Sequence, residues 1–292
     1  TVERTIDFAA LLSSVGEAGS FNEDSLAMPE VADDESTLNT AVSFQFDNGL
    51  PAGSNNANGT LVWLLDGDTS ASVTRTFHIY FDASGGFIAP APFSERVGVS
   101  ETADYRGQAS YQFIISDSAG VQTGSYFYHR TGGGFASLFD ANGNDWISYY
   151  PDAGSQARGE FRGVPNLGDA FHPGYSGAAG NSDQGSNTTL VDEGPLKATI
   201  RSVSFDGEYE ATWEVYPDHL RMTLVDRPDG TPYWFLYEGT PGGNFTAPGS
   251  TSDNIVLPDG TATFRERVAE LDPEWVYFDD FDTTQSMFIA HL

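Results

Sequence analysis

The stretch Ala41-Val-Ser-Phe-Gln-Phe-Asp47 decides the fold class, because apolar and polar side chains alternate along it without a break. Val42, Phe44 and Phe46 fall on one side of an extended chain, since successive side chains of a β-strand point to opposite faces. The same alternation recurs over residues 74–82. Strands with one apolar and one polar face indicate antiparallel sheets that cover a core on one side.

The remaining sequence has the composition of an all-β protein. Its 292 residues include 32 glycines and 15 prolines, and long helical patterns are scarce. One short helix is predicted at Phe8–Ser14, where Asp7 precedes the helix as its capping residue. We therefore predict an all-β fold of antiparallel strands joined by many turns.

The chain divides at a stretch rich in glycine, proline and alanine, residues 83–95, which has the composition of an interdomain linker. We predict a small N-terminal β-sandwich at 1–92 and a larger antiparallel β domain at 93–292. The last segment, 286–291, is strand-like and has no polar tail, so the natural protein has room to continue beyond Leu292.

The charge balance excludes several partners. There are 42 acidic and 13 basic residues, a formal net charge of −29, and Lys197 is the only lysine. Such a field repels nucleic acids and anionic membranes, so we predict no nucleic-acid partner. No apolar run is long enough to cross a bilayer, and we predict no membrane insertion. The excess of carboxylates is typical of halophilic or marine proteins.

The absence of cysteine excludes disulfides and thiolate metal sites. The chain opens at Thr1 rather than methionine, as a processed chain does, and it is rich in Asp, Asn, Gly, Thr and Ser. These features predict an extracellular, secreted protein.

The most reactive segment is 158–175, which we interpret as an ordered loop because it has no apolar periodicity and is dense in glycine and proline. A rigid polar loop on a β scaffold is a usual place for a binding or catalytic site. The alternative is a long connection held by its own contacts. The reactive side chains of the loop are Arg158, Glu160, Arg162, Asn166, Asp169, His172 and Tyr175.

Together with the strand residues near 128–130, this loop could perform eliminative cleavage of a uronic acid. That reaction needs a cation or amide for the carboxylate, a base for the C5 proton and an acid for the leaving oxygen. The catalytic candidates are His172, Tyr175, Arg162, Asn166 and His129. The substrate-binding candidates are Tyr128, Arg130, Arg158, Tyr237 and Trp146.

A glycosidase is the alternative chemistry, since it requires two carboxylates that flank the scissile bond. Glu160 and Glu238 are the pair with the most suitable context, because Glu238 precedes a glycine-rich loop. With 42 acidic residues such a pair also arises by chance.

The turn 140–145 has two interpretations. Asn142-Gly143 is typical of a type I′ hairpin turn. The oxygen-bearing side chains could also ring a calcium ion, although the glycine and glutamate of an EF-hand loop are missing. We therefore predict no required cofactor, with Ca²⁺ as an optional ligand. The candidate ligands are Asp140, Asn142, Asn144 and Asp145. A second acidic group, Asp279, Asp280 and Asp282, could also hold calcium, but we favour the interpretation that it is solvated.

The segment Gly132-Gly-Gly-Phe-Ala-Ser-Leu-Phe-Asp-Ala-Asn-Gly-Asn-Asp-Trp146 resembles the opening of galactose-mutarotase-like super-sandwich domains. The blocks 194–200, 213–217 and 233–243 resemble segments of secreted bacterial or archaeal proteins associated with polysaccharide degradation. The resemblance implies a super-sandwich in the second domain and a carbohydrate context. It implies no reaction, because such domains occur in epimerases, lyases, hydrolases and non-catalytic parts, and the histidine pair and glutamate of aldose epimerases have no match here.

We predict an extracellular protein that binds and cleaves a polysaccharide, with the lyase preferred over the glycosidase. The first alternative is a non-catalytic structural, adhesive or fibre-forming subunit that self-assembles through its terminal strands. The second is a sugar-binding module, which would carry an exposed row of aromatic rings such as Trp146, Tyr149 and Tyr150.

Overall fold

The computed structural model describes residues 1–48, 57–83, 92–147, 185–230, 253–263, 271–281, 283 and 285–291, together with the backbone of 164–167 and 233–236. Within these ranges the chain forms one short helix and many strands, and all described strand pairs are antiparallel. The predicted all-β sandwich class is confirmed.

The N-terminal part contains the helix. Asp7 accepts a hydrogen bond from the backbone N–H of Ala10 (2.9 Å), which caps the helix as predicted. Three small sheets surround it, with strand orders β1-β6-β5, β2-β8 and β4-β3-β7. The elements are β1 (Val2–Asp7), α1 (Phe8–Ser14), β2 (Phe21–Ala27), β3 (Glu30–Val31), β4 (Thr37–Asn39), β5 (Phe44–Asp47), β6 (Asn58–Trp63), β7 (Thr76–Phe77) and β8 (Tyr80–Ala83).

The next part opens with a four-stranded meander of order β12-β11-β10-β9, which we call the first meander. A second meander has the order β14-β15-β16-β17. A separate two-stranded sheet pairs a strand at 164–167, which precedes the second meander in the sequence, with one at 233–236, which follows it. The elements are β9 (Val97–Tyr105), β10 (Gln108–Ser116), β11 (Gln122–His129), β12 (Gly134–Phe139), β13 (Val164–Leu167), β14 (Ser186–Glu193), β15 (Ala198–Ser204), β16 (Glu210–Val215), β17 (Leu220–Asp226) and β18 (Tyr233–Leu236).

The chain ends in a sheet of order β20-β19-β21-β22, which we call the C-terminal sheet. Its long central pair, β21 and β22, runs antiparallel with Tyr277 opposite Phe288. The elements are β19 (Asn254–Val256), β20 (Ala262–Thr263), β21 (Trp275–Asp280) and β22 (Gln285–Ala290).

The main core lies between the two meanders and the C-terminal sheet. Phe135 of the first meander meets Trp213 of the second edge to face, with ring centroids 5.1 Å apart. Ile255 and Phe278 add the C-terminal sheet to the same cluster. A separate smaller core gathers around Phe8, whose ring stacks on that of Phe21 at 4.3 Å.

The two cores lie on opposite sides of the predicted boundary near 92, since one uses residues 6–81 and the other 97–289. The boundary itself stays a prediction, because 84–91 lie outside the described residues. The super-sandwich topology also stays a prediction.

The prediction of a type I′ turn at Asn142-Gly143 was wrong. Gly143 is left-handed (φ +84°) but Asn142 is not, and the amide of Gly143 donates to the carbonyl of Asp140 (3.0 Å). This is a type I turn followed by a left-handed glycine. A left-handed pair does occur at Arg106 (φ 53°) and Gly107 (φ 92°), which join β9 to β10. An arginine at such a turn is uncommon, so the sequence gave no reason to expect it there.

Candidate functional site

Most residues of the predicted catalytic loop lie outside the described part of the chain. This applies to Arg158, Glu160, Arg162, His172 and Tyr175, and also to Tyr237 and Glu238. Their roles stay predictions. The interpretation of 158–175 as a loop throughout was wrong, because Val164–Leu167 form β13, in which Asn166 is paired with Trp234. Pairing with β18, which the local pattern does not encode, makes this segment a strand.

The strand residues assigned to the same site lie mostly in the interior. His129 is 0% exposed, and its Nε2 lies 2.8 Å from the carbonyl oxygen of Tyr105. Burial, helped by the charge of Arg106, lowers the pKa of His129 to about 4, so the ring is neutral at physiological pH. A side chain in this position cannot touch a polysaccharide, so the described geometry gives His129 a structural role.

Tyr128 and Arg130 flank that histidine in the sequence and differ from each other in solvent exposure. Tyr128 is 1% exposed, its hydroxyl lies 2.8 Å from that of Ser202, and burial raises its pKa. Arg130 is half-exposed, pairs with Glu101 (2.9 Å) and covers the ring of Tyr111. Only Arg130 of these three predicted residues therefore reaches solvent.

The carboxylates of the turn 140–145 are engaged by protein donors. Asp140 accepts from the backbone amides of Asn142 (2.8 Å) and Asn144 (3.0 Å) and from the indole of Trp146 (3.2 Å). Burial opposes its ionisation, but these hydrogen bonds outweigh burial and lower the pKa of Asp140. Asp145 accepts from the hydroxyl of Ser137 (2.7 Å) and forms an ion pair with Arg106.

These bonds close the turn without an ion. Among the residues that the structure describes, no group of three or more histidines or carboxylates is arranged to hold a metal. Calcium at this turn stays a prediction. The neighbouring Trp146 is only 4% exposed and belongs to the main core, so the prediction that it binds sugar was wrong. Tyr149 and Tyr150 lie outside the described residues.

A cluster that the sequence did not predict joins the N-terminal part to the second meander. The ammonium of Lys197 is almost fully buried and pairs with Asp47 (2.6 Å), Glu214 (3.2 Å) and Glu3 (3.3 Å). Arg221 closes the network by pairing with Glu3 (2.8 Å) and Glu214 (2.6 Å). We call these five residues the junction cluster. The only hint in the sequence was that Lys197 is the sole lysine.

The charges of the junction cluster fix its protonation states. Burial alone would lower the pKa of Lys197, but the attraction of Asp47 and its neighbours raises it. Burial likewise opposes ionisation of Glu3 and Glu214, but hydrogen bonds from Tyr216 to Glu3 and from Arg221 to both lower their pKa values. These shifts keep Glu3, Glu214 and Lys197 charged near neutral pH, so the cluster is suited to holding two parts together rather than to acid–base catalysis.

The most suitable binding surface is the outer face of the C-terminal sheet. Val276, Phe278 and Ile289 face the main core. Strand alternation therefore turns Trp275, Tyr277 and Phe288 to the other side. We call these three rings the aromatic platform.

The rings of the aromatic platform lie close together. The Trp275 and Tyr277 rings are 6.4 Å apart at an angle of 7°, and the Trp275 and Phe288 rings are 5.6 Å apart. Phe288 is 62% exposed, and the other two rings are half-buried. Contiguous apolar patches on a protein surface often mark interaction sites.

Polar groups border the aromatic platform. The hydroxyl of Ser286 donates to Asp279 (2.9 Å), and Nδ1 of His291 is hydrogen-bonded to Glu274. Asp279 lies on the same face as Tyr277, two residues along β21. Its neighbour Asp280 is only 1% exposed, so its predicted solvation was wrong.

Sequence reasoning predicted strands at 274–278 and 286–291 but missed the aromatic platform. The available signal was the period-two spacing of Trp275 and Tyr277, with apolar residues also at the intervening positions. A strand that is apolar on both faces has no local sign of which face the core covers. The register of Tyr277 with Phe288, which completes the platform, depends on the pairing of the two strands.

No protein-family model, curated protein or solved structure matches this chain. In the described residues no helix has the length and apolar character needed to span a bilayer.

Proposed function

We propose that this chain is an extracellular carbohydrate-binding protein and that the aromatic platform is its binding site. The observation that carries the proposal is the aromatic group on the outer face of a sheet whose other face is buried in the main core, with Phe288 62% exposed and Trp275 and Tyr277 half-buried beside it. A rigid sheet presents the rings without a cost in backbone ordering.

The chemistry of the aromatic platform suits a sugar ring. The faces of aromatic rings carry partial negative charge, and they attract the weakly positive C–H groups on one face of a pyranose. The Trp275 and Tyr277 rings are nearly parallel, with centroids 6.4 Å apart, so one sugar could contact both rings. The hydroxyl and carboxylate groups of Ser286 and Asp279 at the border can hydrogen-bond to sugar hydroxyls.

The prediction that the protein also cleaves the polysaccharide it binds is separate from the binding proposal. The predicted lyase residues His172 and Tyr175, and the predicted glycosidase pair Glu160 and Glu238, lie outside the described residues. Binding at the aromatic platform needs none of them, so the binding proposal stands or falls separately.

Co-sedimentation with insoluble polysaccharides and affinity electrophoresis with soluble ones test the proposal. Trp275→Ala and Phe288→Ala should each weaken binding by about tenfold or more, because central aromatic anchors dominate interface energies. Tyr80→Ala is the matched control, since Tyr80 is an exposed aromatic of the N-terminal part and should bind like the unaltered protein. Equal binding by all variants, or none by the unaltered protein across the panel, would contradict the proposal.

A second candidate function, a self-assembling structural subunit, is favoured by one observation. In the described sheets β1 and β22 are both edge strands, so both terminal segments are placed for strand addition. Analytical ultracentrifugation over a hundredfold range of concentration tests it. Assemblies that grow with concentration and are reduced by Phe288→Lys would favour this function, whereas a monomer throughout would remove it.

A further inference from the structure

We infer that the aromatic platform selects neutral glycans and discriminates against carboxylated ones. This inference rests on the proposed function and names the class of ligand for the same site. It departs from the expectation, drawn from the sequence, of a uronic-acid substrate.

Carboxylates adjoin both ends of the ring pair on β21. Asp279 follows Tyr277 on the same face of the strand, and the exposed Glu274 directly precedes Trp275 in the chain. Both carboxylates are accessible, since Glu274 is exposed and Asp279 is half-buried. A glycan carboxylate bound across the rings would lie close to at least one of them.

The described part of the C-terminal sheet carries acidic side chains without lysine or arginine. Across the described residues of the C-terminal sheet and its turns, 253–263, 271–281, 283 and 285–291, no lysine or arginine occurs. His291 is the only basic side chain there, and it is bonded to Glu274. Proteins often recognise a carboxylate through bidentate hydrogen bonds from the guanidinium group of an arginine.

The field of the whole molecule acts in the same direction. The formal net charge of −29 adds long-range repulsion to the local carboxylates. The described arginines that pair with acids lie outside the C-terminal sheet, for example Arg75 with Glu30 in the N-terminal part and Arg221 with Glu214 in the second meander. A neutral sugar is not repelled by this field, whereas each carboxylate group of a glycan is repelled by it.

The size of the effect follows from the geometry of two charges in water. A pair of like charges about 4 Å apart at the solvent dielectric changes an equilibrium by roughly fivefold. We therefore expect a carboxylated glycan to bind roughly three- to tenfold more weakly than its neutral counterpart at low salt. The difference should shrink near 1 M salt, where the screening length is about 3 Å.

Paired ligands that share a backbone and differ in charge test this inference. Suitable pairs are hydroxyethyl and carboxymethyl cellulose, and methyl-esterified and de-esterified galacturonan, compared by affinity electrophoresis and calorimetry at low and high salt. Asp279→Asn should narrow the difference within each pair. Glu17→Gln, which removes one exposed charge from the N-terminal part, is the matched control and should leave it unchanged.

The outcomes separate the two claims. A neutral partner that binds more tightly, with a gap closed by salt and by Asp279→Asn, supports the inference. Equal binding within a pair, or tighter binding of the carboxylated partner, overturns the inference and leaves the proposed function in place. Binding of no member of any pair overturns both.

Discussion

Trp146 and Trp275 are the same residue type in opposite surroundings. The indole of Trp146 is buried in the main core and donates to Asp140, whereas that of Trp275 lies on the outer face of the C-terminal sheet. Trp146 was a sugar-binding candidate because it is an aromatic residue close in sequence to Tyr149 and Tyr150. The burial of a side chain depends on contacts between strands that are far apart in the chain. The residues next to a tryptophan in the sequence could therefore not indicate whether it is buried.

His129 provides a test at the same scale. Its pKa falls from the ordinary 6.5 to about 4 in the fold, because burial disfavours the charged ring. Below pH 6.5 the unfolded chain therefore binds a proton at His129, whereas the folded chain does not bind it until the pH approaches 4. Stability should fall as pH drops from 6.5 toward 4, by up to about 3 kcal/mol from this group.

Urea unfolding at pH 6.5 and pH 5 measures this slope in the unaltered protein and in His129→Gln. The variant should be less stable at both values but should lose less between them. His78→Gln removes a partly exposed imidazole of the N-terminal part and leaves His129 in place, so it is the matched control. An unchanged slope in His129→Gln would show that His129 is not the group responsible.

At the scale of elements, alternation predicted many strands but not their turns. The strands at 274–278 and 286–291 and the helix at Phe8–Ser14 were predictable, because each has a local pattern or cap. The turn at Arg106-Gly107 was not predictable, because its left-handed backbone angles are not indicated by its residue types. The same limit applies to β13, whose existence depends on a partner about seventy residues away.

Gly107→Ala tests the geometry of that turn. A Cβ at Gly107 would meet nothing within 4 Å, so the cost comes from its φ of +92° alone. We expect a loss of about 1 kcal/mol in the free energy of unfolding. Gly98→Ala should cost less, because φ at Gly98 lies outside the left-handed region and its nearest contact is the flexible end of Glu95. Equal costs for the two variants would argue against the left-handed turn.

At the scale of the whole molecule, composition predicted the acidic surface but not the junction cluster. Lys197 and Gln45 lie far apart in sequence, yet the carbonyl of Lys197 accepts from the amide of Gln45 (3.0 Å). Such long-range pairs have no local signature. The two hydrophobic cores are joined by this polar contact and by the charges around it.

Lys197→Met should therefore destabilise the whole molecule. It leaves Asp47, Glu3 and Glu214 without their shared buried cation, which costs about 3–5 kcal/mol in comparable buried pairs. Arg201→Met is the matched control, because its pair with Glu210 is largely exposed and should contribute less than about 1 kcal/mol. Chemical unfolding measures both, and similar losses would contradict the central role of Lys197.

The pH dependence of the junction cluster has a defined sign. The pKa values of Glu3 and Glu214 are lower in the fold than their ordinary 4.5. Their contribution to stability is complete above that value and is lost as pH falls below it. Unfolding measured between pH 5 and pH 3 should show this loss in the unaltered protein, and a weaker one in Glu3→Gln. An equal loss in the two proteins would contradict the assignment.

The most direct test of the binding proposal is a fluorescence titration with the polysaccharide that binds most tightly. In the unaltered protein, and in Trp146→Phe if it folds, the tryptophan emission should change with saturating dependence on ligand. In Trp275→Phe that change should be lost, although the ring left in place should retain part of the affinity in calorimetry. An undiminished emission change in Trp275→Phe would place the sugar elsewhere and contradict the account.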